Sequence, residues 1–357
     1  MLCYKGIVVF VQCVHEISRS RANKATRFLA SGIEGPQYDE ALSVANAWRS
    51  QHIYPTQEVF KILGSIVEPY DNTLVTYRLK RMESIISKLS RSANDFKLGA
   101  LDDIGGCRII VPDIKSLYKV SNIIKEKFLL KDGSSVKDYV SSPKSNGYRS
   151  IHFLTKQQNC TGGKSSYRVE IQLRTRLQHV WATAVEIADA ILGLRLKSPA
   201  YERSDYESAM ELFFAKVSLL FQSEEDNNLT CTDRDSLIIG VRKLNDEWNL
   251  LGALSEAVDS VLSVDSINAV TLEQVMHILK FSTERQEFSV ESFKSDNEVE
   301  LIERYNNLER LSHDSNAEFD DIVLVRANYP NFLKDAYPNY SFSNNEFVTR
   351  VSGYLGA

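Results

Sequence analysis

The sequence predicts an α+β protein, with a mixed β-sheet flanked by helices and a smaller C-terminal α+β unit after it. Three observations predict this. Apolar residues recur with helical spacing over 20–32, 38–49 and 75–92, and again in stretches between 178 and 262. Short apolar runs bounded by Gly, Pro, Ser and Asn turns occupy residues 107–175, and strand and helix patterns alternate once more after residue 274. The 357 residues leave room for about two or three domains, and 43% hydrophobic with 25% charged residues excludes a disordered or fibrous chain.

In chain order, Ser20–Gly32 reads as a helix closed by its terminal glycine, and Tyr38–Arg49 as a second, with Pro55 expected to end this entry. Val75–Ser92 places Leu79, Met82, Ile86 and Leu89 on one stripe among Arg and Lys side chains, which predicts a basic amphipathic helix. Cys107–Val111 is a short buried strand, Ile114–Leu129 a helix, and Lys137–Val140 a short strand. Ser141–Gly147 packs Pro, Ser, Asn and Gly into a loop before the strand Arg149–Leu154. A turn over 156–165 leads into Tyr167–Thr175, where Glu170, Gln172 and Arg174 alternate with Val169, Ile171 and Leu173 and so occupy one sheet face. Helical patterns follow after Gln178, over Tyr206–Ser223 and from Asp235 to about Leu262. The remainder reads as strands near Gln274–Ser282, Glu287–Phe293 and Ile322–Arg326, a helix over Glu298–Leu311, and closing helical turns to Leu355. These readings divide the chain into 1–223, a linker with a connecting helix at 224–264, and a C-terminal unit at 265–357.

The longest apolar run, Gly6–Val14, falls short of the ~20 residues a membrane span needs. It is followed by charged residues without a small-residue cleavage site, so neither a membrane partner nor a secretory signal is expected. Five scattered cysteines without a CxxC pair point to free thiols and a cytoplasmic location. The net charge of −5 hides an asymmetry: residues 71–176 carry 20 basic and 10 acidic side chains, whereas 177–357 carry 15 and 31. A polyanion-binding part beside an acidic part that covers it would show this pattern.

Four segments are expected to converge on one sheet: the basic helix, DIGGCR at 103–108, PKSNGY at 143–148, and VEIQLRT at 169–175. Phosphoryl chemistry suits them, because its catalysis is mostly positioning plus neutralisation of developing charge. Asp103 and Glu170 are candidates to hold a divalent ion, and Glu170 to take a proton from an attacking hydroxyl. A tyrosine after Asn-Gly, Tyr148, offers a face for stacking a base. Taken singly, an Asp before a strand is a cap, a Gly pair a turn and helix lysines solvated; the joint order is what carries the reading.

YRLKRMESIISK, LDDIGGCRIIV, KDYVSSPKSNGYRSIH and VEIQLRTRLQHVWATAVE, in this order, resemble the synthetase domain of the RelA/SpoT alarmone synthetases over roughly residues 75–190. No His-Asp hydrolase signature precedes them, so the resemblance is to the small synthetase-only members. The RSRANKA and AWRSQHIYP stretches are most similar to the toxic small alarmone synthetases, and DAYPNY at 335–340 resembles the tail of the fused toxin–antitoxin, CapRel-like phage-defence branch.

The resemblance implies an ATP-dependent, Mg²⁺-requiring pyrophosphokinase. Arg78 and Arg108 would sandwich the adenine, with Lys80, Ser84 and Lys88 on one helix facing the phosphates. Asp103 and Glu170 would be the catalytic pair and the Mg²⁺ contacts. Lys144, Asn146, Tyr148, His152, Gln172 and Arg174 would form the acceptor site. The acceptor is a guanosine nucleotide in alarmone makers and the 3′ CCA end of tRNA in toxic members. The basic middle segment, with Arg19, Arg21, Lys24 and Arg27, makes tRNA the preferred expectation. A degenerate domain that only binds nucleotide or RNA is the non-enzymatic alternative. The resemblance further implies that Tyr337 and Tyr340 in the C-terminal unit close over the ATP site until a phage capsid protein releases them, and that removing the tail from about residue 265 frees the activity. The tail carries no ligand-spaced Cys or His, so any zinc-finger-like fold there stands without metal. A monomer or weak oligomer is expected.

Overall fold

The computed structural model describes residues 16–90, 96–130, 133–158, 165–194, 196, 203–226, 230–260, 274–282, 287–294, 298–312, 318–319, 321–327 and 345–356. Its centre is an eight-stranded mixed sheet built from β1 (Leu74–Leu79), β2 (Gly105–Val111), β3 (Val136–Asp138), β4 (Ile151–Gln158), β5 (Ser166–Thr175), β6 (Gln274–Ser282), β7 (Glu287–Lys294) and β8 (Asp321–Ala327). The spatial order is β3-β4-β5-β2-β1-β8-β6-β7. β2 and β5 run parallel and every other neighbouring pair antiparallel.

The strands from the C-terminal stretch therefore continue the same sheet. β8 pairs with β1 and β6 with β8, so β1 lies in the interior, with β2 on one side and β8 on the other. The stretch expected to link two units is also built into the body. α7 (Asp205–Asp226), α8 (Cys231–Trp248) and α9 (Leu250–Ser260) pack with α6 (Arg176–Ile191) and α11 (Asn345–Leu355) around Phe213, Phe214, Phe221, Leu254, Phe347 and Val351. The single helix expected from Asp235 to Leu262 is two, because Asn249 adopts a left-handed conformation (φ 50°) and ends α8.

One face of the sheet carries the main core. Val75, Tyr77, Cys107, Ile109, Val169, Ile171 and Leu173 interlock with Met276, Ile278 and Leu324 on the same face, beneath α3 (Ile53–Val67), α5 (Ile114–Lys127) and α10 (Glu298–Leu311). The alternation in β5 is as expected, since Val169, Ile171 and Leu173 are fully buried and Glu170, Gln172 and Arg174 take the other face. α3 was not expected, because Pro55 reads as a stop. It sits in the first turn of this helix, where backbone N–H groups have no intrahelical partner and proline costs little. Gly105 permits the close approach of α3 to β2, because a Cβ there would meet Thr56 Oγ1 at 2.1 Å.

The basic helix expected over Val75–Ser92 is instead β1 followed by α4 (Met82–Ser90). Leu74–Leu79 contains β-branched and aromatic residues that fill a sheet, and the Lys80 N–H goes to Ile104 O at 2.8 Å. Arg78 is thus on a strand and Lys80 precedes the helix. The short α4 packs Met82, Ile85 and Leu89 against α1 (Arg19–Ser31) and α2 (Pro36–Ser50).

Among the described residues, no helix is long and apolar enough to cross a membrane. Tyr337 and Tyr340 lie outside the described residues.

Candidate active site

The polar face of the sheet gathers the side chains of four strands. Register places Arg108 beside Thr76 on β1 and Gln172 on β5, Gly106 between Arg78 and Glu170, and His152 on β4 opposite Gln172. Since alternate residues share a face, Arg78, Arg108, Glu170, Gln172, Arg174 and His152 point the same way. Arg78, Lys80, Asp103, Arg108, Glu170 and Gln172 line one cleft there, floored in part by Thr76 and Gly106.

At one end of this cleft stands a cluster of alternating charge. Lys80 Nζ donates to Asp103 Oδ2 at 3.0 Å, and Lys88 Nζ donates to both Asp103 oxygens at 3.1 and 3.0 Å. Burial pushes the Asp103 carboxyl up, yet the two ammonium groups outweigh it and hold it below the usual carboxylate range. Lys80 goes down, because its own burial outweighs the attraction of Asp103. Ser84 lies one turn before Lys88 on α4, half-buried.

At the other end, five side chains close a hydrogen-bonded cycle. His152 Nδ1 lies 2.9 Å from Glu170 Oε1, and Tyr148 OH lies 2.7 Å from His152 Nε2. Arg174 Nη2 donates to Tyr148 OH at 2.9 Å and to Gln172 Oε1 at 3.1 Å, and Gln172 Nε2 donates to Glu170 Oε2 at 2.8 Å. Arg174 is only a donor and an ionised carboxylate only an acceptor. With His152 neutral, both arms run from Arg174 to Glu170: Tyr148 donates to His152 Nε2, and His152 donates from Nδ1. Burial pushes Glu170 up, but the bond and charge of His152, the Gln172 amide and Lys80 hold it down to about 2. Burial lowers His152, while Glu170 and Tyr148 outweigh it and raise the imidazole above its ordinary value. Burial likewise raises Tyr148, while Arg174 and His152 bring its phenol down to about 8.

The loop carrying Tyr148 is fixed at several points. Asn146 Oδ1 accepts from Tyr148 N–H at 3.1 Å, and Lys144 Nζ lies over the Tyr139 and Tyr148 rings at 4.5 and 5.0 Å. Gly147 has φ +89° and docks on α7. A Cβ there would meet Ala215 Cα and Ser218 Cβ at 2.9 Å, and Ser218 Oγ donates to Gly147 O at 2.5 Å. α7 is tied down by the buried Arg149, which pairs with Glu225 at 2.8 Å. Beyond Tyr148, a second pocket of about 270 Å³ is lined by Lys144, Asn146, Arg174, Trp181, Glu186, Glu211 and Phe214.

Of the expected site residues in the first 176 positions, the structure brings all but Ser84 into two groups along one sheet face; Ser84 lies on α4 and lines neither pocket. Sequence reasoning missed Tyr139, packed edge-on to Tyr148 and His152 with ring centroids at 6.0 and 5.3 Å, and the α6–α7 wall of the second pocket. An aromatic in the KDYV strand two residues before a turn was the available signal for Tyr139. The α7 side chains had none.

Mg²⁺ keeps several waters and binds through one or two carboxylates plus substrate phosphates. Asp103 and Glu170 line the same cleft and fit that donor set. Among the described residues, no group of three or more His, Cys, Asp or Glu side chains converges into a protein-only metal site.

Residues 77–189 match the family model described as "Region found in RelA / SpoT proteins". The chain is 37% identical to GTP pyrophosphokinase YwaC of Bacillus subtilis over 111 residues, 30% of this chain and 52% of that protein. It is 34% identical to GTP pyrophosphokinase rsh of Brucella ovis over 102 residues, 29% of this chain and 12% of that protein. The chain thus spans about half the length of the first relative and about an eighth of the second. Among solved structures, small alarmone synthetase 2 from Bacillus subtilis superimposes with a TM-score of 0.40 at 24% identity, covering 50% of this chain and 93% of that one.

Proposed function

We propose that the chain is a Mg²⁺-dependent pyrophosphokinase that moves the β,γ-pyrophosphate of ATP to a ribose hydroxyl of an acceptor. The observation that carries this reading is the single cleft with the Lys80–Asp103–Lys88 cluster at one end and the cycle converging on Glu170 at the other. The matched region, and the activity named in relatives over that region, support it. Asp103 and Glu170 would hold the Mg²⁺, which when bound neutralises phosphate charge.

The roles follow from the chemistry of the groups. Lys80 and Lys88, paired here with Asp103, turn to the donor phosphates. Arg78 and Arg108 lie flat against the adenine, for which a guanidinium is better shaped than an ammonium. The acceptor O–H attacks the β-phosphorus; the bond from that phosphorus to the oxygen bridging to the α-phosphate breaks, and AMP leaves with the electron pair. The hydroxyl proton goes to Glu170. A carboxyl held near 2 by a charged neighbour is a poor base, so the competent form has neutral His152, donating from Nδ1 and accepting from Tyr148. Tyr148 stacks the acceptor base at the mouth of the second pocket.

The acceptor favoured here is the 3′ end of tRNA, whose backbone would follow the exposed basic side chains Arg19, Arg21, Lys24 and Arg27 of α1. A guanosine nucleotide is the second reading, favoured by the pocket beside Tyr148 and the names of the relatives. Labelled ATP incubated with deacylated tRNA or with GDP separates them, and label found only in the guanosine product would sink the tRNA reading. Regulation by Tyr337 and Tyr340, with a phage capsid protein as the trigger, rests on the DAYPNY resemblance and is part of this proposal. Ala327, the last residue of β8, pairs with Thr76 in the cleft floor.

A further inference from the structure

The donor end of the cleft is built on chain more than two hundred residues away in sequence. β8 pairs with β1 so that Val325 lies opposite Arg78. α10 reaches the other donor element, α4, through one buried carboxylate. Glu309 Oε1 accepts from Met82 N–H at 2.9 Å and from Arg49 Nη1 at 2.7 Å, and the second Arg49 nitrogen reaches Oε2. Arg49 is fully buried, and its guanidinium lies 5.1 Å from the centre of the Tyr305 ring.

Met82 opens α4, and the first N–H groups of a helix have no partner inside it. A carboxylate at that point satisfies one of them and complements the positive end of the helix. With nine residues, α4 is too short to hold itself. Its direction decides where Lys88, six residues or about 9 Å along it, presents its ammonium to Asp103.

We infer that Glu309 is a positioning residue of the donor site: it caps α4, Arg49 holds it in place, and the stretch 274–327 is a structural part of the ATP-binding half. The inference rests on the reading of Lys80 and Lys88 as phosphate ligands. It also separates the scaffolding part of the C-terminal stretch from the segment that carries Tyr337 and Tyr340.

The test uses the full chain and two double variants. Replacing a buried ion pair with apolar side chains of similar volume is often tolerated, so Arg49→Met with Glu309→Leu is expected to melt near the wild-type temperature. It removes the cap, and its KM for ATP should rise about tenfold, the size of a lost cap, with kcat and the acceptor KM within about twofold of wild type. Arg49→Met with Glu309→Gln restores a neutral acceptor for the Met82 N–H and should bring the ATP KM back. A wild-type ATP KM in the Leu variant, or a Gln variant as impaired as the Leu variant, overturns the inference. If the Leu variant does not fold, Glu309→Asp decides, since it keeps the charge beside Arg49 but withdraws it from Met82. Its ATP KM should rise severalfold, and an unchanged value overturns the inference. Wild-type protein that releases no AMP from ATP would sink the underlying reading instead.

Discussion

Tyr148→Phe separates two roles of one side chain. The ring is left to stack an acceptor base, while the hydroxyl that links Arg174 to His152 is removed. Two hydrogen bonds go, at 2.9 and 2.7 Å, and His152 Nε2 loses its donor, so the imidazole that donates to Glu170 is held from that side alone. A hydrogen bond involving a charged group contributes about 1.5–3 kcal/mol. If that orientation matters only as the proton leaves the acceptor, kcat falls about 10- to 150-fold and the acceptor KM moves about twofold or less. The melting temperature should fall too, by about 1 °C for each kcal/mol lost in a chain of this length, because the buried Arg174 is left short of an acceptor. The assay is steady-state AMP release with acceptor and ATP varied in turn. A Phe variant with wild-type kcat, or one whose only change is a raised acceptor KM, would refute the argument that Tyr148 acts through His152.

Other expectations follow from the same geometry. Turnover should rise with pH as His152 loses its proton, over a range above the ordinary histidine value because its folded pKa is raised; His152→Gln should lower kcat and abolish that limb, and an identical limb in the variant would contradict the assignment. Gly147→Ala puts a Cβ into the Ala215 and Ser218 contacts at positive φ; by analogy with overpacked sites it should cost about 1–3 kcal/mol of stability and weaken acceptor binding more than ATP binding, measured by the two KM values. Truncation before residue 265 removes β6, β8 and the Glu309 cap, so it should abolish transfer, the opposite of the release that the tail resemblance implies. Tyr337→Ala in the full chain is the variant for release, and growth arrest by the truncated protein would refute the scaffolding role.

How much of this was legible in the sequence differs from element to element. Strand β5 was legible because period-two alternation needs only its own residues: Val169, Ile171 and Leu173 went into the core as read. The donor region was not, because Leu74–Leu79 satisfies a helical stripe as well as a strand, and what decides between them is pairing with β2 and β8 from distant sequence. Pro55 misled because its meaning depends on whether it stands inside a helix or at its first turn. The site residues were legible as motif, but their connection was not. The cycle from Arg174 to Glu170 depends on strand register, and the Arg49–Glu309 pair spans 260 positions with no local signal.

The central claim, transfer of pyrophosphate from ATP by this cleft, is tested most directly by following γ-labelled ATP in wild-type protein and in Glu170→Gln. Wild type should form AMP in step with labelled acceptor, and the variant should lose at least about 100-fold in rate, the low end for losing a general base. ADP with labelled phosphate in place of AMP, or a Glu170→Gln variant as active as wild type, would contradict it.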